Sequence, residues 1–130
     1  MRDLWSETRK FEIWLTIELL ASEALVKEGI IPKGDFAKIK RGVDLCLADT
    51  KALTLRAKEL EKTLNHDVIG FTTAVAEQIN DRASRWLHFG LTSSDVVDTA
   101  FAVQMAQSAD ILIADVKALR KVIAAPAPTS

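Results

Sequence analysis

Apolar side chains recur every three or four positions along most of this chain, the spacing that gives a helix one buried face. From Ser6 to Glu28 the residues Phe11, Trp14, Leu15, Ile17, Leu20, Ala21, Ala24 and Leu25 form such a face. Ser6 is the expected N-cap, and Gly29, with Pro32 just beyond, is placed to close the helix in a left-handed conformation. A short helix is predicted from Asp35 to about Arg41. A third covers Asp49 to Leu64 on the stripe Leu53, Ala57, Leu60 and Leu64. Asn65 interrupts, and a fourth begins near His66 with Val68, Phe71, Val75 and Ile79 turned inward. Asn80 to Gly90 reads as a connector carrying Trp86 and His88.

The last helix is predicted from Ser94 to Ala124, a rod of roughly 45 Å. Val96, Val97, Ala100, Phe101, Val103, Met105, Ala106, Ile111, Leu112, Ile113, Val116 and Leu119 cover more than one of its sides. A helix so apolar around its circumference belongs among other helices, and the preceding residues are too few to surround it. The pattern therefore predicts an all-α fold: an N-terminal helical domain over residues 1–93, the first long helix of a central bundle over 94–124, and a disordered tail over 125–130.

Composition narrows the function classes. The chain has 130 residues, 48% of them hydrophobic and 27% charged, the balance of a globular domain. A net charge of −1 gives no electrostatic reason to expect nucleic acid. Cys46 is the only cysteine, so no disulfide forms within the chain. Early charges (Arg2, Asp3, Glu7, Arg9, Lys10, Glu12) are wrong for a signal peptide, and no apolar run is expected to reach the ~18–20 residues of a bilayer span. A soluble, cytoplasmic protein without a membrane partner is expected. His66 and His88 without further ligands make no metal site.

Two polar clusters carry the candidate chemistry. In Thr92-Ser93-Ser94-Asp95, one reading makes Ser94 or Asp95 the N-cap of the last helix, worth ~1 kcal/mol. The other adds hydroxyls to unpaired helix N–H groups to make a cradle for a carboxylate or phosphate. The two are compatible if Asp95 caps while Thr92 and Ser93 face the ligand. In Asn65-His66-Asp67, Asn65 is read as the cap of the fourth helix and Asp67 as a first-turn acid matched to the helix dipole. A neutral His66 imidazole at that helix start is able to donate or accept a hydrogen bond near an anionic substrate, and His88 lies beside the hydroxyl cluster.

Three stretches occur in a telling order: "IWLTIELLASEALVKEGIIPKGD" (13–35), "EKTLNHDVIGF" (61–71) and "HFGLTSSDVVDTA" (88–100). Together they resemble the N-terminal part of the adenylosuccinate lyases, in the fumarase/aspartase superfamily, over about residues 4 to 123. The related carboxymuconate cycloisomerases carry glutamine where Ser94 stands. The resemblance implies an all-α homotetramer with shared active sites and no metal or organic cofactor. The implied reaction eliminates fumarate from adenylosuccinate and from the succinylated carboxamide ribotide (SAICAR) of purine synthesis. A serine base forms a carbanion, and a histidine acid protonates the departing nitrogen.

By the same resemblance, Thr92 and Ser93 hold the substrate's succinyl carboxylate, and His66 orients the substrate beside the acid. Asn65 and Asp67 flank His66, and His88 touches the phosphate. The family's phosphate-binding Arg-Tyr pair falls upstream of Met1, and the acid histidine and base serine fall after residue 130. The stretch is thus expected to be an incomplete lyase sequence, inactive by itself. A non-catalytic helical assembly module on the same scaffold is the rival class, and a carboxymuconate cycloisomerase-like member is the nearest enzyme rival.

Overall fold

A computed structural model describes residues 1–126; the final four positions of the expected tail lie outside the described residues. Its elements are α1 (Glu7–Lys27), α2 (Lys33–Ala48), α3 (Thr50–Leu64), α4 (Asp67–Ile79) and α5 (Ser93–Ala124), with single 3-10 turns at Asp3–Trp5 and Arg82–Trp86. The described residues contain no strand, so the fold is all-α.

The start of α1 is capped as expected, Ser6 Oγ accepting from the Arg9 N–H at 3.1 Å. At its end Gly29 has φ +76, Ile30 N–H reaches Leu25 O and Gly29 N–H reaches Val26 O. That pair of bonds is the Schellman motif, which needs a left-handed residue where glycine carries no steric penalty. The buried face differs from the predicted one. Phe11, Ile13, Trp14, Leu15, Glu18 and Ser22 are buried, while Leu20 and Ala24 are exposed. Two polar residues occupy positions that an apolar count passes over.

The second helix runs on to Ala48, past the predicted stop near Arg41, because Ile39, Val43 and Cys46 continue one buried stripe. Gly42 acts as a contact point there. A Cβ on it would lie 2.5 Å from the Ile79 side chain and 2.7 Å from its Cα, so glycine lets α2 and α4 touch. On α3, Leu53 and Ala57 are buried as predicted, Leu60 is half-buried and Leu64 is exposed. Helix α4 buries the whole predicted stripe, Val68, Phe71, Val75 and Ile79. Phe11 and Phe71 stack with centroids 5.4 Å apart, and Trp14 meets both edge-on.

Only the first part of α5 is docked. Val96, Ala100 and Gln104, one turn apart from each other, are its buried residues. The N-terminal segment clamps it: Gln104 Nε2 donates to Leu4 O and Trp5 Nε1 donates to Ser108 Oγ, both at 2.9 Å. Beyond Ile111 every described residue of α5 is exposed. By length and composition α5 is long and apolar enough to cross a bilayer, although no such run was expected from the sequence. Gln104, Gln107, Asp110 and Asp115 interrupt it, and the first two bond to the N-terminal segment and to Arg9.

Candidate functional site

Helices α4 and α5 begin beside each other. His66 is the N-cap of α4: its backbone is extended and its Nδ1 accepts from the Ile69 N–H at 3.1 Å. Asn65, expected as that cap, instead ends α3 in the left-handed region at φ +53, with its N–H on Glu61 O. A ring that accepts at Nδ1 carries its proton on Nε2. The 3.7 Å approach of Asp67 Oδ1 to the same Nδ1 is therefore no ion pair while the cap bond is made. Asp67 Oδ1 accepts the Val68 N–H at 2.8 Å, a first-turn acid as expected.

At the start of α5 the cap is Thr92, and neither Ser94 nor Asp95 as expected. Thr92 Oγ1 accepts from the Asp95 N–H at 3.4 Å, and Asp95 Oδ2 accepts from the Thr92 N–H at 2.7 Å. This reciprocal capping box explains the acid in the cluster: Asp95 is turned onto the backbone, so its charge is engaged in the helix start. Ser93 thereby becomes the first helical residue. Its Oγ lies 3.4 Å from His66 Nε2, linking the two helix starts. With its proton on Nε2, His66 donates across this long contact and the Ser93 O–H is left to donate elsewhere. Thr92, accepting only at its oxygen, likewise keeps its O–H to donate. Helix geometry also leaves the first-turn N–H groups of α5 without intrahelical partners. The Ser93 hydroxyl, the His66 imidazole and the positive ends of two helices thus meet, with the Thr92 hydroxyl one residue before Ser93. That is a donor-rich place for a carboxylate.

The other predicted site residues are placed differently. Asn65 lines an open groove of about 460 Å³ with Lys58, Glu61 and Lys62. His88, in the connector, has φ +62 and sets its Nδ1 against Glu18 Oε1 of α1 at 2.5 Å, a contact separate from the His66–Ser93 pair. Glu18 escaped sequence reasoning. Its signal was a lone carboxylate in register with Phe11, Trp14, Leu15 and Ser22 on an otherwise apolar face, which the apolar stripe simply steps over. Burial pushes its carboxyl above the usual range, and the bond with His88 draws it partly back.

Comparison with known proteins points the same way as the motifs. Residues 1–129 match the family model Lyase_1, described as "Lyase". Over 124 residues, 95% of this chain, the sequence is 40% identical to the adenylosuccinate lyase of Streptococcus mutans serotype c (strain ATCC 700610 / UA159). The chain spans 27% of that relative's length.

Proposed function

Because the chain belongs to the Lyase_1 family, within the fumarase/aspartase superfamily, we propose that it supplies the carboxylate-binding part of a fumarate-releasing active site. The substrates in this reading are adenylosuccinate and SAICAR. The observation that carries it is the 3.4 Å contact between His66 Nε2 and Ser93 Oγ, which brings two separate helix starts to one point. Proton loss next to a carboxylate drives negative charge onto that carboxylate as the carbanion forms. Donors already aimed at the oxygens gain strength as this charge grows, and so lower the barrier without having to reorganise. Ser93 and Thr92 are the hydroxyl donors, His66 orients the substrate, Asn65 and Asp67 flank it, and His88 meets the phosphate. The acid histidine and base serine come from segments that the family places after this stretch. No metal or organic cofactor takes part.

In the same reading α5 belongs to a bundle shared between subunits of a cytoplasmic homo-oligomer, tetrameric in the family. Its exposed Leu112, Ile113, Val116, Leu119, Val122 and Ile123 support this, since soluble monomers seldom expose apolar patches beyond a few hundred Å². The polar residues that interrupt α5 favour helix partners over lipid.

A chimera tests the reading. Residues 1–124 replace the corresponding stretch of the Streptococcus mutans enzyme, and fumarate release from adenylosuccinate is followed. The chimera is expected to turn over. Ser93→Ala within it is expected to lower turnover by roughly one to two decades, the worth of a charge-assisted bond of ~1.5–3 kcal/mol. Unchanged turnover in Ser93→Ala would remove the carboxylate cradle.

A further inference from the structure

Glu18 is the least expected side chain in the core. It lies on α1 with 1% of its surface exposed, and its Oε2 is enclosed with no hydrogen-bond partner among the described residues. Its Oε1 meets His88 Nδ1 at 2.5 Å, across 70 positions of sequence. A carboxyl is a poor choice for filling space between helices, because its charge is costly to bury and one oxygen here stays unsatisfied. On the other side of the contact, His88 holds a left-handed backbone at φ +62, uncommon for a residue with a side chain, though histidine is among the types that adopt it more often. The turn around it is tied by Phe89 N–H to Trp86 O and by Leu91 N–H to His88 O. A buried acid, costly alone, and a histidine held at a turn are thus brought into one contact. The His88 side chain is 22% exposed, so part of it reaches solvent while Nδ1 is held by the acid. Nε2 is the nitrogen left for a ligand.

We infer that Glu18 is a positioning residue for His88. Its carboxylate accepts the Nδ1–H, fixes the ring, and provides the buried negative charge against which the ring carries a second proton on Nε2 for a phosphate-bearing ligand. The inference rests on the proposal that His88 meets the substrate's phosphate, and adds the group that makes this histidine fit for it. A carboxylate behind an imidazole selects the tautomer and stabilises the imidazolium, which a neutral amide in the same place does only in part.

The chain has only His66 and His88, so imidazole nitrogen NMR of the ¹⁵N-labelled protein reads both rings, with His66→Asn assigning them. The two rings are expected in opposite neutral tautomers, His66 protonated on Nε2 and His88 on Nδ1. A wild-type His88 protonated on Nε2 alone, in the absence of ligand, overturns the inference without any variant. Inorganic phosphate is then titrated. In wild type the His88 nitrogens are expected to move together to the doubly protonated position. In Glu18→Gln, where the amide oxygen still accepts from Nδ1 but the charge is gone, the half-saturating phosphate concentration is expected to rise roughly tenfold or more. Equal titrations overturn the counter-charge role. A His88 held on Nδ1 that ignores phosphate in wild type also overturns that role, and sinks the phosphate reading of His88. The hold itself would stand.

Discussion

Helices α4 and α5 start within hydrogen-bond reach of one another and then live in different surroundings. Over 13 residues α4 buries Val68, Gly70, Phe71, Ala74, Val75 and Ile79, whereas α5 buries three residues in 32. At Gly70 a Cβ would stand 2.9 Å from Ala57 O and 3.1 Å from Glu61 N, so α4 lies against the α3 backbone with no room for even a methyl group. Past Ile111 every described residue of α5 is exposed. The two helices meet at their N-termini, and of the two only α4 is held along its whole length. The difference separates two demands on the sequence. Close packing fixes where the candidate site is, and the exposed apolar length of α5 is suited to partners that lie outside the described chain.

The sharpest test sets one residue type against itself. Phe71→Ala, at the stacked centre of the core, is expected to cost about 3–5 kcal/mol in urea unfolding. Phe101→Ala, half exposed on α5 and edge-on to Trp5, is expected to cost about 1 kcal/mol or less. Val116→Asp, far along α5, should stay within ~0.5 kcal/mol while weakening self-association measured by light scattering. Comparable losses at Phe71 and Phe101 would erase the contrast between the helices.

The caps give a smaller effect. Thr92→Ala removes the hydroxyl that receives the Asp95 N–H, and should lower stability by ~1 kcal/mol. Ser94→Ala should change it by no more than a few tenths, because Ser94 is not the cap. On α4, His66→Asn should preserve the melting temperature, since an asparagine oxygen is a good N-cap acceptor, while it removes the Nε2 that reaches Ser93. A melting temperature that drops in Ser94→Ala and holds in Thr92→Ala would reverse the cap assignment.

The smallest effect concerns α1, which packs against α5 and reaches α4 through Phe11 and Trp14. Burial raises the Glu18 carboxyl above its ordinary value, with the His88 contact opposing. A carboxyl raised in the folded state contributes stability that is complete below its unfolded value of ~4.3 and is lost as pH climbs through the folded value. Wild type should therefore lose stability relative to Glu18→Gln as pH rises from about 4 through the raised folded value. Thermal melts of both proteins across that range check the slope. A wild-type advantage that grows with pH would mean that the ion pair outweighs the burial.

Much of the architecture was determined by the sequence alone, because helix periodicity and caps are local. Val68, Phe71, Val75 and Ile79 repeat at helical spacing, and Gly29 can take a left-handed φ at no steric cost, so both are legible without any partner. The hydroxyl cluster before α5 was legible as well, as was the histidine before α4. What only the tertiary structure decided depends on groups far apart in sequence. Gly42 resembles a helix stop until Ile79 is seen pressed against it. Thr92, Ser94 and Asp95 are all good capping residues, and the backbone geometry at Thr92 chose among them. The apolar pattern on α1 passed over Glu18, whose place inside the fold makes sense only through His88, 70 positions away. A local pattern records which side chains prefer to leave water. It does not record which distant partner makes an unfavourable burial tolerable, and that pairing exists only once the helices have packed.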